Sequence, residues 1–424
     1  MRPLIPLLLS LLLASPALAT SFTVNSQADV GDDNLGDNVC HAILGLPGVC
    51  TLRAAVQEAN AHAGSDTIFL TAGQVYTLTR AGQDDNAGNG DLDITDDVTI
   101  LFLASGARPV VDVNGRERAF EVLNDANLTL FGFDITGGDA TVAGDQSGGG
   151  VALNFASGIV QISFMRFYGN RANFGGAVYN DGDSTTISSS EFFDNESEND
   201  FADSIGSAIH NRGSITIEYS SIFANSGVGG NNAIAVSNRP PNVGVPNMVV
   251  SNSTIAENIG VGLWSEDEGN LTVRNSTIVG NTGVGLRLAG VDPSLFLRVS
   301  VIARNGATDC VFTGAPGTLS LDRYNLDSDN TCGLASGTSN YPNTNPRLTP
   351  LARHGGFTHV SWPLTNSPLI DQGHPVIGSI GCEADDQQFL DRPVDFDGNG
   401  NARCDVGSVE LDSDVIFHDP FDRL

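Results

Sequence analysis

At 424 residues with 40% hydrophobic content the chain can bury a large core, and its fifty acidic residues against twenty basic ones give a formal charge of -30. That charge repels nucleic acid and anionic membrane surfaces, which excludes nucleic-acid binding as a class of function. The sequence contains no lysine, so every fixed cation is an arginine.

Residues 1–19 read as a secretory signal: Arg2 is a minimal charged region, an apolar run extends from Leu4 to Ala14, and Ala17-Leu18-Ala19 is a small-x-small cleavage site. The mature chain is expected to start near Thr20 and to be secreted or held at the cell surface. It has no run of about 20 apolar residues, so no membrane span is expected after cleavage. In residues 51–64, "TLRAAVQEANAHAG", Leu52, Ala55, Val56 and Ala59 fall at i, i+3, i+4 and i+7, and Gly64 is placed to end a helix. This predicts one helix that covers the N-terminal end of whatever follows. The segments "TIFLTAG", "DVTILFLAS" and "NLTLFGFDI" then predict short strands.

Further along, the chain repeats itself. "STIAENIGVGLW" begins at Ser253 and "STIVGNTGVGLR" at Ser276, an interval of 23. Aligned on its asparagine, the motif recurs at Asn170, Asn195, Asn225, Asn258, Asn281 and Asn305, with spacings of 25, 30, 33, 23 and 24. Periods of this size mark solenoids or propellers, and the units carry alternating strands such as "ITIEYS" and "LTVRNS" rather than amphipathic helical runs. The expected fold is all-β: a right-handed parallel β-helix over residues 66–310, with an N-terminal capping helix and a C-terminal capping module. Phe167, Phe192, Ile222, Ile255, Ile278 and Ile302, three before each asparagine, should stack inward about 4.8 Å apart. The asparagines are expected in left-handed turns, bonded up and down the stack as a structural ladder.

Six cysteines in an exported chain favour disulfides. They fall into three sequence-local couples, Cys40 with Cys50, Cys310 with Cys332 and Cys382 with Cys404, and local pairing is the expected scheme among the connectivities that six cysteines allow. Zinc is disfavoured because no C-x2-C spacing occurs and the histidines do not cluster near the cysteines.

The piece "CTLRAAVQEANA", preceded by "DVGDDNLGDNVC" and followed by "GDLDI", resembles the N-terminal CSLREA domain of exported bacterial β-helix proteins, departing from its name motif at Thr51 and Ala54. From Asn345, "NPRLTPLARHGGFTHVSWPLTNSPLIDQG" and "DRPVDFDGNGNARCDVGSVE" resemble the choice-of-anchor Q domain. The resemblance implies an exported or surface β-helix protein and no particular reaction. It divides the chain into a signal (1–19), a CSLREA-like cap (20–65), the β-helix repeats (66–310), a choice-of-anchor Q-like module (311–412) and an acidic-aromatic tail (413–424).

Two groups of residues carry possible chemistry. The loop "DFDGNG" sets Asp395, Asp397 and Asn399 at the spacing of a calcium loop's first half, and calcium is the cofactor it points to, although short Asp-Gly-Asn runs are also ordinary turns. "DDNAGNGDLD" at residues 84–93 offers the same chemistry more loosely. The second group is a column: "VALN", "GAVY", "SAIH", "NAIA", "VGLW" and "VGLR" align Asn154, Tyr179, His210, Ala235, Trp264 and Arg287, which should point outward, one per coil. Tyr179, His210, Trp264 and Arg287 would suit an extended polysaccharide, rings stacking on sugar faces and the arginine meeting a carboxylate, while the bland reading is a shielding strand face. No G-x-S-x-G or H-E-x-x-H motif and no marked acid–base pair occurs, so no catalytic residue is assigned. The expectation is a non-catalytic protein of surface display, adhesion or glycan binding, whose partner is an extracellular polysaccharide or a cell-surface component. The alternative is a polysaccharide lyase or glycoside hydrolase.

Overall fold

The computed structural model describes residues 19–412, apart from 43–47, 143–145, 155–156, 183, 199–204, 229, 241–243, 338 and 379–380. The expected signal, but for Ala19, and the expected tail lie outside the described residues.

Each regular coil lays one strand into each of three parallel sheets. The first sheet has eleven strands, from Ser21–Thr23 to Leu319–Leu321. The second has nine, from Leu92–Ile94 to Cys310–Phe312, and the third has ten, from Val75–Thr77 to Leu326–Asp327. The expected right-handed parallel β-helix is therefore the architecture. Alternation explains the local structure: in Asn270–Arg274, Leu271 and Val273 turn inward while Thr272 and Arg274 face out. Their partners on the neighbouring coils, Met248 and Val250 on one side and Leu295 and Leu297 on the other, repeat the pattern in register. Pairing begins at Ser21 and runs to Asp327, so the stack reaches past both expected limits, residues 66 and 310. The irregular terminal coils lack the asparagine motif by which the repeat was recognised.

On the third sheet the inward column Phe167, Phe192, Ile222, Ile255, Ile278 and Ile302 is in register and buried, as expected. The Phe167 and Phe192 rings stack 4.9 Å apart, 4° from parallel. Beside it runs the asparagine ladder. The Nδ2 of each asparagine donates to the Oδ1 of the next, from Asn170 to Asn305, at 2.9–3.1 Å, and Asn305 ends on Asp309 at 3.0 Å. The left-handed residue of each turn, however, is the one before the asparagine: Asp194, Ala224, Glu257 and Arg304 have φ between 53° and 55°. That residue takes the strain, which leaves the asparagine free to turn its amide under the coil. The serines of the same motif form a further ladder, Ser220, Ser253 and Ser276 each accepting a backbone N–H from the coil before.

The cap helix spans Leu52–Ala61, and the Thr51 side chain accepts from the Ala54 N–H. Leu52, Ala55, Val56 and Ala59 are buried as the spacing requires. Arg53 and Glu58 are buried too: Arg53 donates to Asp29 and to the carbonyls of Ala87, Gly90 and Asp91, and Glu58 accepts from the N–H groups of Gly36 and Asn38. All three local disulfides are present.

The C-terminal module does more than close the end. After the last coils it turns back and lies along the outward side of the third sheet. Ser408 donates to the Thr277 hydroxyl (3.1 Å), Gln387 to the Ser220 carbonyl (3.0 Å), and Phe357 packs edge-on against Phe164 at 5.4 Å. A second apolar cluster, with Val279, Val301, Leu348, Leu369 and Val406, fills the seam.

Candidate functional site

Strand register decides the composition of the outward column on the second sheet. In order along the stack it is Asp93, Glu121, Ala152, Tyr179, His210, Ser237, Trp264 and Arg287. Tyr179, His210, Trp264 and Arg287 do share one column. Two other members of the expected alignment do not: Ala152 stands where Asn154 was expected, and Ser237 stands in place of Ala235, which packs in the main core. The turn that leads into this sheet varies in length, twelve residues from Asn225 to Ser237 but six from Asn258 to Trp264, so matching by local likeness slips by two residues.

The column faces away from the main core without being a bare surface. Trp264 is 1% exposed, packed with Ile205, Ile234, Val261 and Ala289 in a satellite apolar cluster. The Arg239 and Arg287 guanidinium groups lie over its ring at 5.8 and 5.6 Å. His210 is buried, 5.6 Å from the Tyr179 ring, with Nδ1 2.6 Å from the Ser237 hydroxyl. Burial, with Arg212 and Arg239 nearby, pushes its pKa down to about 3, so the ring is neutral. These rings stack on protein and present no open face to a sugar. Arg287, half-buried, borders a shallow depression of about 280 Å³ that is also lined by Asn232, Val261, Thr282, Val284 and Thr313.

At the N-terminal end the same column turns acidic. Oxygens of Asp91, Asp93 and Glu121 lie within 4.8 Å of one another. Asp91 and Asp93 are buried, and Asp91 Oδ2 and Asp93 Oδ1 have no hydrogen-bond partner. The other Asp93 oxygen accepts the Ala87 N–H at 2.7 Å. Glu121 is held by Arg118 Nη1 (2.8 Å) and Asn154 Nδ2 (2.6 Å). Burial raises Asp91 to about 8 against the pull of Arg118, with Asp93, Glu121 and Glu117 adding to the rise. Burial likewise raises Asp93 to about 7, against the Ala87 hydrogen bond and with Glu121, Asp84 and Asp85 adding to it. The sequence pattern flagged the loop 84–93 but missed Glu121, whose place beside Asp93 follows only from coil register.

A second carboxylate group sits in the C-terminal module. Oxygens of Asp395 and Asp397 lie within 4.8 Å of each other and of one from Asp371, a buried residue whose Oδ1 lacks a hydrogen-bond partner. Asn399 is committed within the loop, its amide nitrogen donating to Asp397 (2.7 Å) and its oxygen accepting the Asn401 N–H (2.8 Å). Asp371 is therefore the third residue whose oxygen the fold brings to Asp395 and Asp397. Asp405 and Glu410 are tied to backbone N–H groups around Arg392. Arg274 and Arg298 share a first-sheet column but pair with Glu383 and Asp322 at 2.8 Å each.

Residues 118–297 match the family model described as a right-handed beta helix region. No curated protein sequence matches the chain. Among solved structures, the A-module of the mannuronan C-5 epimerase AlgE6 of Azotobacter vinelandii is similar at 15% identity and a TM-score of 0.44, over 72% of this chain and 84% of that one. The pectate lyase Pel9A is similar at 15% identity and a TM-score of 0.41, over 93% of this chain and 98% of that one. At these values neither likeness carries an inference about activity.

Proposed function

We propose that this is an exported or cell-surface β-helix protein, without turnover, that serves display or adhesion by contacting an extracellular polysaccharide or another cell-surface component. The observation that carries this is the depression beside Arg287, which combines a fixed cation with an apolar lining that includes Val261, Val284 and Val311, the chemistry a sugar carboxylate and ring face call for. The three disulfides support an oxidising compartment. In this reading residues 20–65 are a CSLREA-type cap and residues 311–412 a choice-of-anchor Q-type module, steadied by calcium at Asp371, Asp395 and Asp397.

Retention of the mature protein on immobilised uronate-containing and neutral polysaccharides tests the contact. Arg287→Ala should lose retention while keeping its fold; retention equal to the parent's would overturn this assignment. Trp264→Ala is a poor probe because it empties a packed cluster. The second reading, a polysaccharide lyase or glycoside hydrolase, has one feature in its favour: burial raises Asp91 to about 8, which keeps its carboxyl largely protonated at neutral pH as a general acid must be, beside Asp93 raised to about 7. New unsaturated-uronate absorbance or new reducing ends in the same incubations would establish turnover.

A further inference from the structure

We propose that Asp91, Asp93 and Glu121 bind a hard divalent cation, calcium before magnesium, and that the ion fastens the N-terminal cap to the first coils. This site is distinct from the calcium loop of the C-terminal module and lies at the opposite end of the stack. Asp93 and Glu121 are register partners on successive coils, which sets their side chains side by side on one outward face, and Asp91 reaches them from two residues upstream. Three oxygens no more than 4.8 Å from one another put a point at their centre no more than about 2.8 Å from each, a span that admits the roughly 2.3–2.6 Å that calcium takes.

Two features separate this cluster from an ordinary acidic patch. Asp91 is 2% and Asp93 0% exposed, yet each keeps one buried oxygen without a hydrogen bond, a costly state for a carboxylate that nothing coordinates. The nearest cation to the Asp91 oxygen is Arg118 Nε at 3.7 Å, beyond hydrogen-bond reach. In addition, Glu121 is already oriented, one oxygen held by Arg118 and the other by Asn154. Once the ion has displaced the carboxyl protons, three carboxylates against the Arg118 guanidinium leave two negative charges, which a divalent ion balances. Every donor is oxygen, with neither thiolate nor imidazole, which selects a hard ion.

The location gives the ion its task. The cap helix grips the same loop through its backbone: Arg53 donates to the carbonyls of Ala87, Gly90 and Asp91, and the Asn60 amide donates to that of Asp93 at 2.7 Å. An ion on the side chains of Asp91 and Asp93 would fix from the coil side a loop that the helix fixes from the cap side.

Calorimetric titration of chelator-stripped mature protein with calcium alone tests this, using Asp397→Asn to disable the C-terminal loop. The Asp397→Asn protein should bind one calcium per chain. Adding Asp93→Asn, or separately Glu121→Gln, should weaken that binding about tenfold or more. Glu121 is partly exposed, so its variant decides the matter should Asp93→Asn fail to fold by circular dichroism. The proposal is overturned if Asp397→Asn protein binds no calcium, or if Glu121→Gln leaves its binding unchanged. Absence of glycan retention by the parent protein, with calcium binding intact, would count against the surface reading alone.

Discussion

The outward columns of the second and third sheets treat buried carboxylates in opposite ways. On the third sheet successive coils alternate in sign, Asp134, Arg166, Glu191, and Arg166 and Arg108 both reach Asp134. The C-terminal module then lays Arg353 and His359 on Glu191, whose carboxylate accepts both the backbone N–H (3.0 Å) and Nδ1 (2.6 Å) of His359. Burial alone would raise the Glu191 pKa, but His359 and Arg353 outweigh it and hold the carboxyl below its ordinary value. On the second sheet Asp93 is followed by Glu121, another acid, with Asp91 alongside, and no module covers them with cations. Burial of Glu191 therefore makes a clamp in one place, while burial of Asp91 and Asp93 leaves one oxygen of each without a hydrogen bond in the other. The partner supplied from outside the coil decides which.

The largest expected effect tests the clamp. Glu191→Ala should cost about 3 kcal/mol in denaturant unfolding, the low end for breaking a buried pair because Arg353 keeps access to solvent. It should also expose residues 345–412 to protease. Asp93→Asn in chelator should move stability by no more than about 1 kcal/mol, and upward, since it removes a buried carboxyl whose ionised form lacks a full partner. A loss as large as that of Glu191→Ala would erase the distinction.

The pH dependence sharpens the same contrast. Glu191 is depressed in the fold, so its contribution is complete above its ordinary value near 4.5 and is lost as pH falls below it. Asp91 and Asp93 are raised in the fold, so without metal their contribution declines as pH rises from about 4 through about 7 and 8, where the unfolded chain has already released its protons. Urea midpoints across that range, in chelator, should show Glu191→Gln flattening the acid limb and Asp93→Asn flattening the alkaline one. Smallest is Arg287→Ala, expected within about 0.5 kcal/mol of the parent in stability, because its charge sits at the edge of a depression and supports little beyond one face of Trp264.

Much of the candidate site was only half legible in the sequence. The DFDGNG loop and the acidic run at 84–93 could be seen as oxygen-rich turns, but Asp371 and Glu121 come from other parts of the chain and carry no local signal. The aromatic column was found and its surroundings were not, since nothing in "VGLW" announces that Ile205, Ile234 and Arg239 will close over Trp264.

The sequence by itself determined the coil: its inward column, its asparagine ladder and its cap helix all follow from periodicity, because each rung repeats the last by translation and identical residues must meet. Only the tertiary structure decided the rest. Turn length sets register in the second sheet, which makes Ser237 rather than Ala235 the neighbour of His210. The docking of residues 345–412 along the third sheet depends on contacts such as His359 to Glu191, between positions 168 residues apart, which no local pattern can encode.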